Sequence, residues 1–228
     1  QAPSEFYDAY VFDMDGTMID SMPWHAQAWV EFARRRRMDV DVPDLMARTT
    51  GRNGTECIRE LLGREVPQDE ADALTREKED IYRELFGPRF AEVAGFRQFA
   101  RQVADRGLKV AVGTAGDIHN VHFALSHLQM DVQPLAIVRG DEGLPGKPEP
   151  AIFLEAARRI DVPPQHCIVF EDAPFGIEAA RRAGMRAVAV CSTHSPAQLA
   201  GPHVLAAVRD YTELMNTDFL ESIHVATV

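Results

Sequence analysis

Two pairs of carboxylates stand out because each pair directly follows a run of apolar residues. Asp13 and Asp15 lie two residues apart in FDMDGT, and in an extended backbone this spacing points both side chains the same way. Glu171 and Asp172 form the second pair, at the end of CIVFED. Carboxylates crowded in this way repel each other unless a metal ion or a shared proton resolves the conflict.

Two further segments add a hydroxyl and an ammonium group. Thr114 also follows an apolar run, and it precedes Ala115 and Gly116, small residues whose backbone amides can approach a phosphate. Lys147 lies between a glycine and a proline in GKPEP. Together these groups match in-line phosphoryl transfer, which needs a nucleophile, an acid for the leaving oxygen and cations that neutralise charge. Oxygen ligands of this kind suit Mg²⁺, which also takes substrate phosphate as a ligand.

The apolar runs that position these residues are typical of buried parallel strands, because they are β-rich and apolar throughout. Helical patterns separate most of them, and this alternation predicts an α/β fold, a doubly wound parallel sheet. An open parallel sheet binds ligands beyond the carboxyl ends of its strands, where the polar residues stand. The predicted strands are residues 10–13, 109–113, 135–138, 167–170, 187–191 and 204–208.

One interval interrupts the alternation. Between the first strand and Gly95 the sequence has only helical patterns, at residues 23–37, 42–48, 54–62 and 68–86. We therefore predict a small α-helical cap domain at residues 21–94, inserted into a core domain formed by residues 1–20 and 95–228. Ser21 is predicted to cap the first cap helix, and Gly95 fits the hinge at which the chain returns to the core.

Four motifs carry a family resemblance. FDMDGT, VGTAG, GKPEP and VFEDAPFGIEAA match, in order and spacing, the motifs of the haloacid dehalogenase-like hydrolases, whose core is Rossmann-like. The helical insertion resembles the cap of their β-phosphoglucomutase-like branch, which includes phosphosugar phosphatases. The resemblance covers nearly the whole chain.

The resemblance implies a role for each motif residue. Asp13 would be the nucleophile that forms a phospho-aspartate, and Asp15 the general acid and base. Thr114 and Lys147 would bind the phosphoryl group. The implied Mg²⁺ ligands are Asp13, the backbone carbonyl of Asp15, Asp172 and, directly or as an outer ligand, Glu171.

These assignments have structural alternatives. Asp13 and Asp15 could be the acids of a tight turn, and Thr114 could cap the following helix. Lys147 could be a solvated loop lysine. Glu171 could neighbour the metal without binding it.

Three functions are compatible with the motifs: a small-molecule phosphatase, a phosphohexomutase of the same branch, and a catalytically silent binding protein. The silent protein is disfavoured because every motif residue is present. Dehalogenation shares the fold but does not need Asp15. Phosphonate hydrolysis uses a cap lysine, and the only lysine in the predicted cap, Lys78, lies in the polar stretch REKED and is predicted to be solvated.

The cap loop distinguishes a phosphatase from a mutase. In the mutases a lysine precedes the loop glycine and an arginine follows it three places on, so that the two clamp a second phosphate. Here Thr50 precedes Gly51, and Gly54 takes the place of the arginine. We predict a phosphatase whose partner is a small phosphorylated metabolite, a phosphosugar. The residues expected to contact it are His25, for which the resembling enzymes have a histidine at this hinge, and Gly51, Arg52, Asn53, Ala115 and Gly116.

Composition narrows the setting. The net charge of −11 argues against nucleic-acid binding and requires local cations at a phosphate site. The sequence has neither an apolar run of the roughly 20 residues that a membrane helix needs nor a signal-peptide pattern. The three cysteines have no CxxC spacing, which argues against a disulfide framework or a zinc site. We expect a cytoplasmic monomer.

Overall fold

A parallel sheet forms the centre of the molecule. The computed structural model describes residues 6–223, and within them the strands are β1 (Ala9–Phe12), β2 (Lys109–Gly113), β3 (Ala136–Val138), β4 (Cys167–Glu171), β5 (Arg186–Val190) and β6 (Val204–Val208). All of them pair in parallel, in the order β3-β2-β1-β4-β5-β6. The predicted α/β fold is confirmed, and each predicted strand is present with ends that differ by at most one residue.

The strand order reverses at β1, which makes its carboxyl end the expected place for a ligand. Phe12 of β1 lies opposite Val112 of β2 and Phe170 of β4. The carboxyl ends of these three strands therefore lie at one edge of the sheet. In this way the register brings the first, second and fourth motifs together.

Helices flank the sheet, and the first four of them contact mainly one another. In the described part of the chain they are α1 (Met22–Arg36), α2 (Val42–Thr49), α3 (Gly54–Leu62), α4 (Gln68–Phe86), α5 (Phe96–Asp105), α6 (Ile118–Leu128), α7 (Ala151–Arg159), α8 (Pro174–Arg182), α9 (Tyr211–Met215) and α10 (Phe219–Ser222). Helices α1–α4, here called the cap helices, stand between β1 and α5 where the sequence predicted helices. The short helices α9 and α10 were not predicted.

The two faces of the sheet carry side chains of different size. On one face Phe12 packs against Phe96 of α5 and Phe170, with ring centroids 5.3 and 4.7 Å away. On the other face, small side chains such as Ala9 and Ala189 pack beneath α7 and α8. Because side chains alternate along a strand, each strand contributes to both layers.

Two chain segments join the cap helices to the sheet, and they pair with each other. Asp20 N donates to Ala91 O at 2.9 Å, and Val93 N donates to Met18 O at 3.0 Å. Gly95 follows with a φ of +82°, where a Cβ would lie 3.0 Å from Thr212 N, so glycine suits this turn.

The prediction that the Ser21 side chain caps α1 by a hydrogen bond is wrong. Ser21 does precede α1, but its side chain makes no cap hydrogen bond. Instead, its hydroxyl donates to Asp15 Oδ1 at 2.7 Å. A serine at a helix start can serve either partner, and sequence alone does not show which one is closer.

Within residues 6–223, no helix is both long enough and apolar enough to cross a membrane. All three cysteines lie in this range and are free.

Candidate active site

A buried cluster of carboxylates stands at the carboxyl edge of the sheet. One oxygen each from Asp13, Glu171 and Asp172 lies within 4.8 Å of the others. Lys147 reaches into this cluster from its loop, and its Nζ donates to Asp13 Oδ1 and Glu171 Oε2, both at 2.9 Å, and to Gly113 O at 3.0 Å. The alternative of a solvated Lys147 does not hold, because its side chain is 1% exposed.

The cluster carries more negative charge than its lysine can offset. Burial and the charge of Asp13 raise the pKa of Glu171 to about 7. Burial, with the charges of Asp13 and Glu171, also raises the pKa of Asp172 well above its usual range. Burial alone would lower the pKa of Lys147, but the two carboxylates outweigh it and raise the pKa. Three close, buried carboxylate oxygens with unbalanced charge fit a hard divalent cation such as Mg²⁺.

Two glycines make room for these carboxylates. A Cβ at Gly16 would lie 2.1 Å from Asp172 Oδ2, and a Cβ at Gly176 would lie 1.8 Å from Glu171 Cδ. Thr193 Oγ1 donates to Asp172 Oδ2 at 2.9 Å. Any larger residue at either glycine would push a carboxylate out of the cluster.

Glu171 is held by partners at both oxygens. Its Oε1 accepts from the backbone amides of Asp172 and Ala173, at 3.1 and 3.3 Å, just before α8 begins. Its Oε2 accepts from Lys147. Glu171 therefore anchors the lysine from one oxygen and is held by the start of α8 at the other.

Thr114 shapes the loop that follows β2. Its Oγ1 accepts from Gly116 N at 3.0 Å, whereas the side chain that caps α6 is that of Asp117. Gly116 O in turn accepts from Gly140 N at 3.0 Å, and a Cβ at Gly140 would lie 2.0 Å from Ala115 O. The helix-capping alternative for Thr114 is therefore wrong.

Asp15 faces the cap helices. Its Oδ1 accepts from Ser21 and lies 3.0 Å from His25 Nε2. The His25 ring stacks on Tyr82, with centroids 3.8 Å apart. Burial alone would raise the pKa of Asp15, but the interaction with His25 and the hydrogen bond from Ser21 outweigh it and lower the pKa.

Lys78 is buried, and the prediction that it is solvated is wrong. Its side chain is 6% exposed, and its Nζ lies 2.7 Å from His25 Nδ1 and 3.0 Å from Glu79 Oε1. A protonated lysine only donates, so Nδ1 of His25 accepts and Nε2 carries the proton toward Asp15. The ammonium also lies 5.0 Å from the centroid of the Trp29 ring.

The predicted cap-loop residues contact the core loop that carries Lys147. Gly51 O accepts from Lys147 N at 3.0 Å. Asn53 Nδ2 donates to Leu144 O at 3.3 Å. Arg52 pairs with Glu56, with 2.5 Å between Nη2 and Oε2.

A cavity of about 880 Å³ lies between the cap helices and the sheet. Most of the predicted site residues line it, whereas Thr114 and Asp172 do not. The predicted residues that line it are Asp13, Asp15, His25, Gly51, Arg52, Asn53, Ala115, Gly116, Lys147 and Glu171. A cavity of this size can hold a small metabolite beside the carboxylate cluster.

A family model described as haloacid dehalogenase-like hydrolase matches residues 7–184. The chain belongs to this family. The resemblance seen in the motifs is thereby confirmed, and so is the predicted enzyme class of a phosphoric monoester hydrolase.

Individual relatives of this hydrolase include a phosphatase and a mutase. Fructose-1-phosphate phosphatase YqaB of Escherichia coli is 35% identical over 190 residues, covering 82% of this chain and 97% of that protein. Beta-phosphoglucomutase of Bacillus subtilis is 32% identical over 192 residues, covering 80% and 82%. Among solved structures, a hydrolase from Pseudomonas syringae has a TM-score of 0.83 and 26% identity, covering 95% of this chain and 99% of that one.

Sequence reasoning missed several residues of this hydrolase that surround the site. Lys78 could have been found, because it lies four residues after Leu74 and three before Ile81, on the buried face of α4. Thr193 follows β5 at the same sheet edge as the motifs, so the strand-end rule would have found it too. Asn120, which bridges from α6 to Glu79 at 2.7 Å, depends on tertiary placement that no local pattern reports.

Proposed function

We propose that this chain is a Mg²⁺-dependent phosphatase that hydrolyses a small phosphosugar through a phospho-aspartate on Asp13. The observation that carries the proposal is the joint position of Asp13 and Asp15. Asp13 lies in the charged cluster with Lys147, and Asp15 faces the cap helices beside the same cavity. One carboxylate can therefore meet phosphorus while the other meets the leaving oxygen.

The chain's own residues have distinct tasks in this reaction. Lys147 holds Asp13 Oδ1 and reduces the repulsion between that carboxylate and an incoming phosphate. Asp15, held by Ser21 and His25, takes a proton from the water that attacks the intermediate and gives that proton to the leaving oxygen of the next substrate. Asp13, the backbone carbonyl of Asp15 and Asp172 would hold Mg²⁺, with Glu171 behind them. When bound, the ion supplies positive charge against the phosphoryl oxygens.

The cap loop favours a phosphatase over a mutase. Thr50 Oγ1 donates to Met46 O within α2 at 2.6 Å, and Gly54 packs against Thr75 with no side chain of its own. Arg52 is already paired with Glu56. The positions where the mutases clamp a second phosphate therefore offer no free cation in the described chain.

The phosphosugar substrate is supported by the similarity to fructose-1-phosphate phosphatase YqaB. The division into a core of residues 1–20 and 95–228 and a cap of residues 21–94 belongs to the same proposal. A cytoplasmic location and a monomeric state remain predictions from the sequence.

The direct test is phosphate release from a panel of phosphosugars that includes fructose 1-phosphate, with Mg²⁺ and with EDTA. We expect activity only with Mg²⁺, and loss of activity in Asp13→Asn because an amide cannot attack phosphorus. Substantial turnover by that variant, or in EDTA, would contradict the mechanism.

A second assay separates the phosphatase from the mutase. The enzyme is given β-glucose 1-phosphate with catalytic glucose 1,6-bisphosphate, and glucose 6-phosphate and inorganic phosphate are measured together. Isomerisation that outruns phosphate release would favour the mutase.

A further inference from the structure

The carboxylate of Glu56 joins the cap helices to the core. Its Oε1 accepts from the backbone amide of Asn53 in the cap loop and from that of Gly146 in the core, both at 3.0 Å. The two amides are far apart in sequence, and Gly146 immediately precedes Lys147. We call Glu56 and these two amides the Glu56 latch.

The first of these bonds is an ordinary feature of a helix start. Asn53 caps α3 by accepting from Glu56 N, and Glu56 answers by accepting from Asn53 N, which completes a capping box. The bond to Gly146 is not needed for that purpose. It adds a contact between domains to a side chain that the helix already holds rigid.

Charge and burial make this contact strong. The Glu56 side chain is 13% exposed, and its Oε2 pairs with Arg52. Hydrogen bonds to a charged acceptor are stronger than those between neutral groups. The neighbouring bonds from Lys147 N to Gly51 O and from Asn53 Nδ2 to Leu144 O lie in the same contact.

Contact with the cap, and not with the neighbouring Lys147, requires a glycine at position 146. A Cβ there would lie 2.5 Å from Glu56 Oε1, 2.7 Å from Asn53 N and 2.8 Å from Arg52 Cα. The last two are backbone atoms, which cannot swing away as the end of a side chain can. A larger residue would therefore keep the cap loop from reaching the core loop.

We propose that Glu56 is a positioning residue that holds the cap closed over the active site, and that Gly146 is the place on the core that receives it. This rests on the proposed function, because closure matters only if the cleft carries out phosphoryl transfer. Opening the latch leaves the Lys147 ammonium in place, since its partners Asp13, Glu171 and Gly113 all belong to the core. It removes the His25 contact with Asp15 and admits water.

The proposal predicts a dependence on the leaving group. A sugar alkoxide needs a proton from Asp15 as it departs, whereas 4-nitrophenolate is a stable anion and leaves without one. We expect Glu56→Ala to lower kcat/KM for fructose 1-phosphate by about tenfold or more, and that for 4-nitrophenyl phosphate by less than about threefold. Glu56→Gln keeps an acceptor oxygen for both amides and should recover most of the loss. Gly146→Ala should behave like Glu56→Ala.

A matched control separates the latch from simple loss of a helix cap. Asp41 caps α2 by accepting from Asp44 N at 3.0 Å, in the same domain and exposed to solvent. Asp41→Ala therefore weakens a cap helix at its start but leaves the contact with the core intact. It should lower the melting temperature without changing the ratio of kcat/KM for the two esters.

Hydrogen exchange tests closure without any substrate. The amides of Gly146 and Lys147 both donate to the cap, so in Glu56→Ala they should exchange about tenfold or more faster than in the wild type, and in Asp41→Ala they should not. Unchanged exchange in Glu56→Ala, or an equal loss of activity on both esters, would overturn the latch. A wild type that releases no phosphate from either ester would contradict the proposed function instead. The hydrogen-exchange measurement would then still test the Glu56 latch, because it needs no substrate.

Discussion

At the scale of single residues, Lys78 shows how a charged side chain can be both buried and satisfied. A lysine seldom leaves water unless its ammonium is paired, and here it has His25 Nδ1, the Glu79 carboxylate and the face of Trp29. This pairing fixes the tautomer of His25. It thereby directs an N–H at Asp15, which the proposed mechanism uses as its acid and base.

Removing that ammonium should loosen Asp15 without unfolding the cap. In Lys78→Met the new side chain fills a similar volume over Trp29 but donates nothing to His25. We expect kcat for a phosphosugar to fall by about tenfold, as is typical when a supporting hydrogen bond is lost. The melting temperature should fall as well, because the partly buried Glu79 carboxylate loses its cation. Lys109→Met makes the same exchange at the far end of β2 and serves as the control. An unchanged kcat in Lys78→Met would mean that His25 is oriented by Tyr82 stacking alone.

Sequence predicted the inner residues of the site better than the residues around them. Asp13, Asp15, Glu171 and Asp172 lie at or just beyond strand ends, and the register of a parallel sheet carries strand ends to one edge, so local order was enough. Glu79 and Asn120 meet only because α4 folds over α6. That packing depends on side chains distant in sequence, and no periodicity reports it.

At the scale of elements, buried strands could be predicted because both of their faces are apolar, and the longer helices because their apolar residues recur on one face. Helices α9 and α10 are too short to show a repeating pattern of apolar residues. Helix α9 has five residues, begins at the Asp210 cap and is held by Tyr211 packing against Phe96 and Phe99. Its stability comes from the core, so the sequence alone did not predict it.

Helix α8 contains Gly176, whose lack of a side chain leaves space for the Glu171 carboxylate. Gly176→Ala should favour the helix by roughly 0.5–1 kcal/mol, yet its Cβ would occupy the space of the Glu171 carboxylate. Displacing Glu171 frees Lys147 from one of its three partners. We therefore expect kcat/KM to fall by about a hundredfold in a protein that remains folded, measured by steady-state kinetics beside a thermal melt.

The control for that substitution is Gly184→Ala, just beyond the same helix. Gly184 has a φ of +76° and nothing within 4 Å of a Cβ, so alanine there strains the turn without reaching the site. It should cost some stability and no activity. If Gly176→Ala keeps wild-type kcat/KM, the position of Glu171 is not essential to Lys147.

At the scale of the whole molecule, the charges that serve the proposed function also lower the stability of the metal-free fold. A chain with a net charge of −11 gathers three buried carboxylates around a single lysine. Folding without a cation must hold these groups together, although burial and their mutual repulsion raise the pKa of Glu171 and of Asp172. A cation that binds only the folded chain offsets this cost by mass action. At a cation concentration of a hundred times the Kd, it stabilises the folded state by roughly 2.7 kcal/mol.

Replacing Asp172 by asparagine should therefore separate the two effects. Asp172→Asn keeps the shape and a carbonyl acceptor for the Thr193 hydroxyl but removes one of the clustered charges. In EDTA at neutral pH we expect it to melt higher than the wild type, by about 2–4 °C for each kcal/mol of relieved repulsion in a chain of this size.

Adding Mg²⁺ should raise the melting temperature of the wild type and leave that of the variant nearly unchanged. Asp39→Asn, which removes the same charge from an exposed position on the cap, should alter neither value. A metal-free Asp172→Asn that melts below the wild type would show that hydrogen bonds to the carboxylate outweigh its repulsion from Asp13 and Glu171, and a full Mg²⁺ response in that variant would place the ion on other ligands.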